Sequence, residues 1–189
     1  MYVSGVLGRV VAFNSVIEYQ KRGLPHAHIL LIVAEKYRLF SPSDVDSAIR
    51  AEIPSITDSV ANINGKQQTE CLRSIILKCM IHGPCGSMNP RSACMKNGIC
   101  DKGFPKLYSN QTYWGERSTY PTYRRRKPEE GGSTAIVGNY LVDNRWVVPF
   151  NPYLTLKYNA HINVEACVSP FAAKYLYLYI NKVFQKFRK

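Results

Sequence analysis

The sequence predicts an α+β fold, a mostly antiparallel sheet flanked by helices, and three observations carry that expectation. Residues 29–33 form a β-branched and leucine-rich run, opened by His26-Ala-His28 and preceded by the breaker Gly23-Leu-Pro25, which is a strand signature. Within 69–80, Leu72, Ile75, Ile76, Cys79 and Met80 recur at helical spacing. Near the C-terminus, Ser169-Pro170 opens a second helical pattern that runs to about residue 186, with proline in its first turn.

Taken in order, residues 2–33 read as strands separated by short turns, and the extended stretch 16–21 turns back against 26–33 as a hairpin. Ser41-Pro-Ser-Asp44 is a helix start, with Ser41 or Ser43 as cap, for a helix near 45–52 that Pro54 ends. The helix over 69–80 follows. From 82 to 105 the composition shifts to Gly, Pro, Cys and Asn, and regular structure is expected to stop. Residues 120–130 are basic, aromatic and bounded by proline, and Gly131-Gly-Ser133 is a turn or short linker. Residues 136–150 suit a strand pair turning at Asp143-Asn144, and 160–168 alternate as a strand should. No internal repeat or low-complexity tract interrupts this order. The 189 residues fit a single domain, 1–189, with 79–105 as a Cys/His-rich insertion inside it.

Composition narrows the class of partner. The chain carries 25 Lys+Arg against 13 Asp+Glu, a net charge of +12, which favours a polyanion. No apolar run approaches the roughly 18 residues needed to span a bilayer, and the N-terminus lacks the pattern of a signal peptide. The six cysteines are therefore expected in a reducing, intracellular compartment, where thiolates bind metal more often than they pair.

Three constellations carry chemistry. Side chains alternate along a strand, so His26 and His28 share a face about 6.6 Å apart, and the hairpin brings Glu18 beside them. Two imidazoles and a carboxylate make a cation site with open positions; the bland alternative is a half-exposed polar face. On the last helix, Tyr175 and Tyr179 lie four apart on one side, and Lys182 continues it. They form either an aromatic stripe packed on a sheet or a pair of nucleophiles. A phenol with a pKa of about 10 attacks poorly at neutral pH, but a divalent ion beside a phosphodiester makes such attack feasible. The third constellation is His82-x2-Cys85-x8-Cys94-x5-Cys100, four soft ligands for one structural Zn²⁺, with Cys79 as a substitute. Free buried thiols are its bland alternative. Cys71 and Cys167 sit in apolar stretches and read as core residues.

Glu18-Tyr-Gln-Lys-Arg-Gly-Leu-Pro-His-Ala-His28 closely resembles the signature of Helitron rolling-circle transposases, in their Rep-type HUH endonuclease part. Ile81-His-Gly-Pro-Cys-Gly86, Asp143-Asn-Arg-Trp-Val-Val-Pro149, Ala160-His-Ile-Asn-Val-Glu165 and Lys174-Tyr-Leu-Tyr-Leu-Tyr179 resemble it too, in the family's order. The resemblance implies an HUH-endonuclease-like antiparallel sheet with the tyrosine helix packed across it. It further implies metal-dependent, tyrosine-mediated nicking and joining of single-stranded DNA. His26 and His28 would be metal ligands, with Glu18 as third ligand and Gln20 as its alternative. Such a set suits Mn²⁺ and admits Mg²⁺. Tyr175 and Tyr179 would be the nucleophiles, supported by Lys182.

Read with that resemblance, Tyr123-Arg124-Arg125-Arg126-Lys127 and Lys21-Arg22 become candidate contacts to single-stranded DNA, pairing cations with stacking faces. The chain has no phosphate-loop motif, so ATP hydrolysis is not expected of it; a helicase domain is expected in the longer parent protein, of which this chain reads as a fragment acting in the nucleus. It departs from the family pattern at Leu178, where a basic residue is usual, and at Val183, where glycine is usual. Two other functions stand beside the nickase: a non-catalytic remnant that binds nucleic acid, and a metal-dependent phosphodiesterase that uses water.

Overall fold

The computed structural model describes residues 6–19, 25–55, 62–63 and 66–169. They fall into two compact units. The first takes the described residues up to Phe40, residues 114–121 and those from Cys167; the second takes 41–113 and 122–166.

The first unit is built on a hairpin of β1 (Val10–Tyr19) and β2 (Pro25–Val33). The strands pair antiparallel, with Val16 opposite His28, Ile17 opposite Ala27 and Glu18 opposite His26. Alternation then separates two faces. Val16, Glu18, His28 and Leu30 lie half-buried on one, whereas Phe13, Ile17, Tyr19 and Ile29 are exposed on the other. Ala34 N–H donates to Arg9 O at 2.8 Å and closes the open end of the hairpin before a 3₁₀ turn, Glu35–Tyr37. Gly8, at φ +86°, sits where a Cβ would collide with the Tyr37 side chain, so this approach needs glycine.

In the second unit, Ser41 starts α1 (Pro42–Ala48) with a complete capping box. Its Oγ accepts from Asp44 N–H at 3.2 Å, and its own N–H donates to Asp44 Oδ2 at 2.9 Å. β3 (Asn62–Ile63) and β4 (Lys66–Gln67) form a short antiparallel pair ahead of α2 (Thr69–Cys79). The α2 stripe Leu72, Ile75 and Ile76 is buried, as its spacing requires. β5 (Met95–Lys96) and β6 (Ile99–Cys100) make a second pair, and β7 (Thr134–Val137) and β8 (Tyr140–Asp143) a third. α2 packs against β7 and against α3 (Pro152–Tyr158). Backbone bonds lace the 146–150 segment to both sides: Phe150 exchanges bonds with Arg50, Val148 N–H donates to Met80 O, and Trp146 O accepts from His82 N–H. The core gathers there, around Ile53, Leu72, Ile76, Met80, Val142, Trp146, Val147 and Phe150, and it includes Cys85 and Cys100.

The α+β expectation is therefore met by mixed helices and small antiparallel sheets, but several details differ. Among the described residues the ladders are four separate two-stranded pairs rather than one central sheet. The turn between β7 and β8 lies at Gly138-Asn139, with Gly138 at φ +60°, not at Asp143-Asn144. Asp143 instead accepts from Arg145 N–H and opens a 3₁₀ turn, Asn144–Trp146. Residues 161–168 belong to no ladder among the described residues; their backbone makes single bonds, such as Val164 N–H to Pro149 O at 3.0 Å. An alternating pattern marks half-burial, and among the described residues no strand pairs with this segment. α3 was not anticipated, although Asn151-Pro152 is a capping signal: Asn151 Oδ1 accepts from Leu154 N–H at 2.9 Å. Cys71 and Cys167 are exposed rather than in the core, Cys71 because it falls off the apolar stripe of α2. Among the described residues no helix is long and apolar enough to cross a membrane.

Candidate functional site

The hairpin assembles the first constellation. Glu18 sits across from His26 in register, and its Oε2 lies 3.5 Å from His28 Nε2. The two imidazoles stack with ring centroids 5.2 Å apart and planes inclined by 12°. Local geometry does this work: a one-residue shift in register would send the carboxylate to the other face. His28 and Glu18 retain partial exposure, which leaves approach to the site open from solvent. Gln20, Lys21, Arg22, Tyr175, Tyr179 and Lys182 lie outside the described residues.

The third constellation is drawn together more tightly. The ligand atoms of His82, Cys85, Cys94 and Cys100 all lie within 4.8 Å of one another and could hold a metal ion such as zinc. Cys94 and Cys100 flank the β5–β6 hairpin, whose turn residues Asn97 (φ 52°) and Gly98 (φ 79°) both adopt the left-handed conformation of a tight two-residue turn. Asp101 N–H donates to Cys94 O at 2.8 Å, extending the pairing by a rung. His82 and Cys85 come from the loop after α2, where His82 is fixed by its bond to Trp146 O and by Phe104, stacked on its ring at 4.3 Å. Cys100 Sγ lies 3.4 Å from His82 Nε2. Burial and the neighbouring thiols push the Cys85 thiol up to about 12. Burial also raises Cys100, but hydrogen bonds to its sulfur from the Phe104 and Lys102 amides and the Cys85 and Cys94 thiols together outweigh that and bring it below the usual thiol range. Cys79 is not part of this group; its carbonyl accepts from His161 Nδ1 at 2.7 Å.

The basic run takes a different role from the one its composition suggested. Tyr123 is buried, and its hydroxyl accepts from Ala166 N–H at 2.9 Å. Arg125 is also buried, donating through Nη1 to the carbonyls of Asn144, Val147 and Ala51 at 2.6, 2.7 and 3.2 Å. Both side chains are therefore turned away from solvent in this structure. Arg124 and Arg126 converge on Glu52, with Arg126 Nη2 2.7 Å from Glu52 Oε2. Lys127 alone of the five is exposed. Side chains one residue apart in an extended segment take opposite sides, so Tyr123 and Arg125 turn inward, where backbone carbonyls satisfy the guanidinium, and Arg124 and Arg126 share the other side. Glu165 closes the 160–165 motif and lies beside this run. Burial raises its pKa, against the lowering effect of Tyr123, Arg125 and Lys106 around it.

Residues 1–31 match the family model described as the Helitron helicase-like domain at the N-terminus. This N-terminal stretch is similar to the Helitron helicase-like domain. The Helitron match takes in all of β1 and the start of β2, so Glu18, His26 and His28 lie inside it. It bears out the first of the five motif resemblances, that of residues 18–28. No curated protein matches the chain.

Proposed function

We propose that this Helitron-related chain nicks and joins single-stranded DNA through a tyrosine nucleophile, in rolling-circle transposition. The observation that carries the reading is the hairpin, which sets Glu18 opposite His26 and within 3.5 Å of His28 inside the Helitron-matching stretch. The donor set fits a divalent ion: two imidazoles and a carboxylate on one face suit Mn²⁺ and admit Mg²⁺. Glu18, His26 and His28 would hold it, with Gln20 as the alternative to Glu18. When bound, the ion disperses charge on the scissile phosphate. Tyr175 or Tyr179 forms the new phosphorus–oxygen bond as the old one breaks, leaving a phosphotyrosine and a free DNA hydroxyl, and Lys182 offsets the phosphate's charge. Lys21, Arg22 and Lys127 neutralise the backbone of the bound strand. In this reading the two units belong to one Rep/HUH-like domain of a longer nuclear protein that also carries a helicase.

Incubation with Mn²⁺ and a labelled single-stranded oligonucleotide should give a protein–DNA adduct that survives a denaturing gel. Tyr175→Phe with Tyr179→Phe should abolish it, and His26→Ala with His28→Ala should lower its yield by at least about 100-fold. Cleavage that persists without an adduct would indicate water as nucleophile. DNA binding with no cleavage would identify a binding remnant, in which Glu18 and His28 simply pair with each other.

A further inference from the structure

We propose that Zn²⁺ held by His82, Cys85, Cys94 and Cys100 is an integral part of the second unit's core, so that this unit folds fully only with the metal bound. Four zinc ligands at tetrahedral positions stand about 3.8 Å apart, given Zn–S bonds of about 2.3 Å. The ligand atoms already lie within 4.8 Å of one another, and Cys100 Sγ is 3.4 Å from His82 Nε2. A contraction of about 1 Å or less completes the site. Three thiolates and one imidazole select a soft or borderline ion, and four protein ligands leave no open position for substrate. The site is structural.

Its place in the fold gives it weight. Cys85 and Cys100 are buried members of the same hydrophobic cluster as Leu72, Ile76, Met80, Trp146, Val147 and Phe150. Cys94 and Met95 pack on the edge of that cluster, and Phe104 covers the His82 ring. The segment from 82 to 106 has only the two-residue strands β5 and β6 for regular structure, far too little pairing to order some 25 residues by itself. Without the ion, buried thiols point at one another, and the loop's ordering entropy is opposed by little else. With it, the metal's binding free energy is folding free energy.

The site is independent of the hairpin histidines and of any nicking activity, which makes the test separable. The full chain, purified under reducing conditions without chelator, should contain one zinc per molecule. Replacement with Co²⁺ should give a thiolate-to-cobalt charge-transfer band. In a Trp114→Phe background, chelation should collapse the near-ultraviolet signal of Trp146, and added Zn²⁺ should restore it. Cys94→Ser should weaken the cobalt band, whereas Cys71→Ser and the His26→Ala, His28→Ala pair should keep both band and zinc. Should Cys94→Ser prove insoluble, cobalt titration of the unsubstituted chain decides alone. A chain with far less than one zinc, no cobalt band and an unchanged Trp146 signal after chelation would overturn the proposal.

Discussion

Asn144 illustrates how much one buried polar side chain can hold. It is fully buried, its Oδ1 accepts from Ile53 N–H at 2.8 Å, its Nδ2 donates to Arg126 O at 3.0 Å, and its own carbonyl accepts from Arg125. Three chain segments distant in sequence meet on it. Asn144→Ala would strand the Ile53 amide without a partner, and we expect it to destabilise the second unit by about 1–3 kcal/mol in urea unfolding. Glu52 is the counterpart in charge, a carboxylate between Arg124 and Arg126. The sequence offered these residues only as a motif member, an acid and a cationic run. Nothing in their local spacing reveals that Arg125 ends on backbone carbonyls, because those acceptors lie 19 to 74 positions away.

At the scale of elements, local signals were legible wherever local physics decides. The Ser41 capping box, the α2 stripe and the β1–β2 hairpin follow from contacts three, four or roughly ten residues apart. The 161–168 segment went astray because alternation reports burial on one side, and a strand also needs a neighbour. The tight turn between β5 and β6 is an element whose cost can be measured. Gly98 at φ +79° has open space around its missing Cβ, so Gly98→Ala probes backbone strain without a clash. We expect a loss of about 1 kcal/mol by thermal or urea unfolding of the zinc-loaded chain. Gly132 differs: a Cβ there would run into the Arg126 carbonyl, and alanine should be far more damaging.

At the scale of the whole molecule, the net charge of +12 overstates the free basic surface. Arg124, Arg126 and Arg145 are paired with Glu52 or Asp143, and Arg125 is internal. These pairings set the response to acid. Burial alone would raise the pKa of Glu52, but hydrogen bonds from Arg126 and the charge of Arg124 outweigh it and leave it below 4.5. Asp143 behaves alike, since Arg145 and Tyr108 outweigh its burial and hold it below 3.8. A carboxylate whose folded pKa is depressed contributes stability that is fully present above its unfolded pKa and is lost as pH falls through the folded value. Unfolding free energy should therefore hold above about pH 4.5 as far as these two groups are concerned, and decline below it. Glu52→Gln should flatten part of that decline in urea titrations across pH.

By itself the sequence determined the α+β class, the hairpin that pairs Glu18 with the two histidines, and the resemblance to Helitron proteins that the family match bears out over residues 1–31. Each depends on neighbours along the chain, whose geometry is set by strand alternation and helix periodicity. It also named the four soft ligands. Only the tertiary structure decided that they meet, because a turn at Asn97-Gly98 and the stacking of Phe104 on His82 close the distance. It alone decided that the basic run turns inward, because alternation along an extended segment meets buried carbonyls from other parts of the chain.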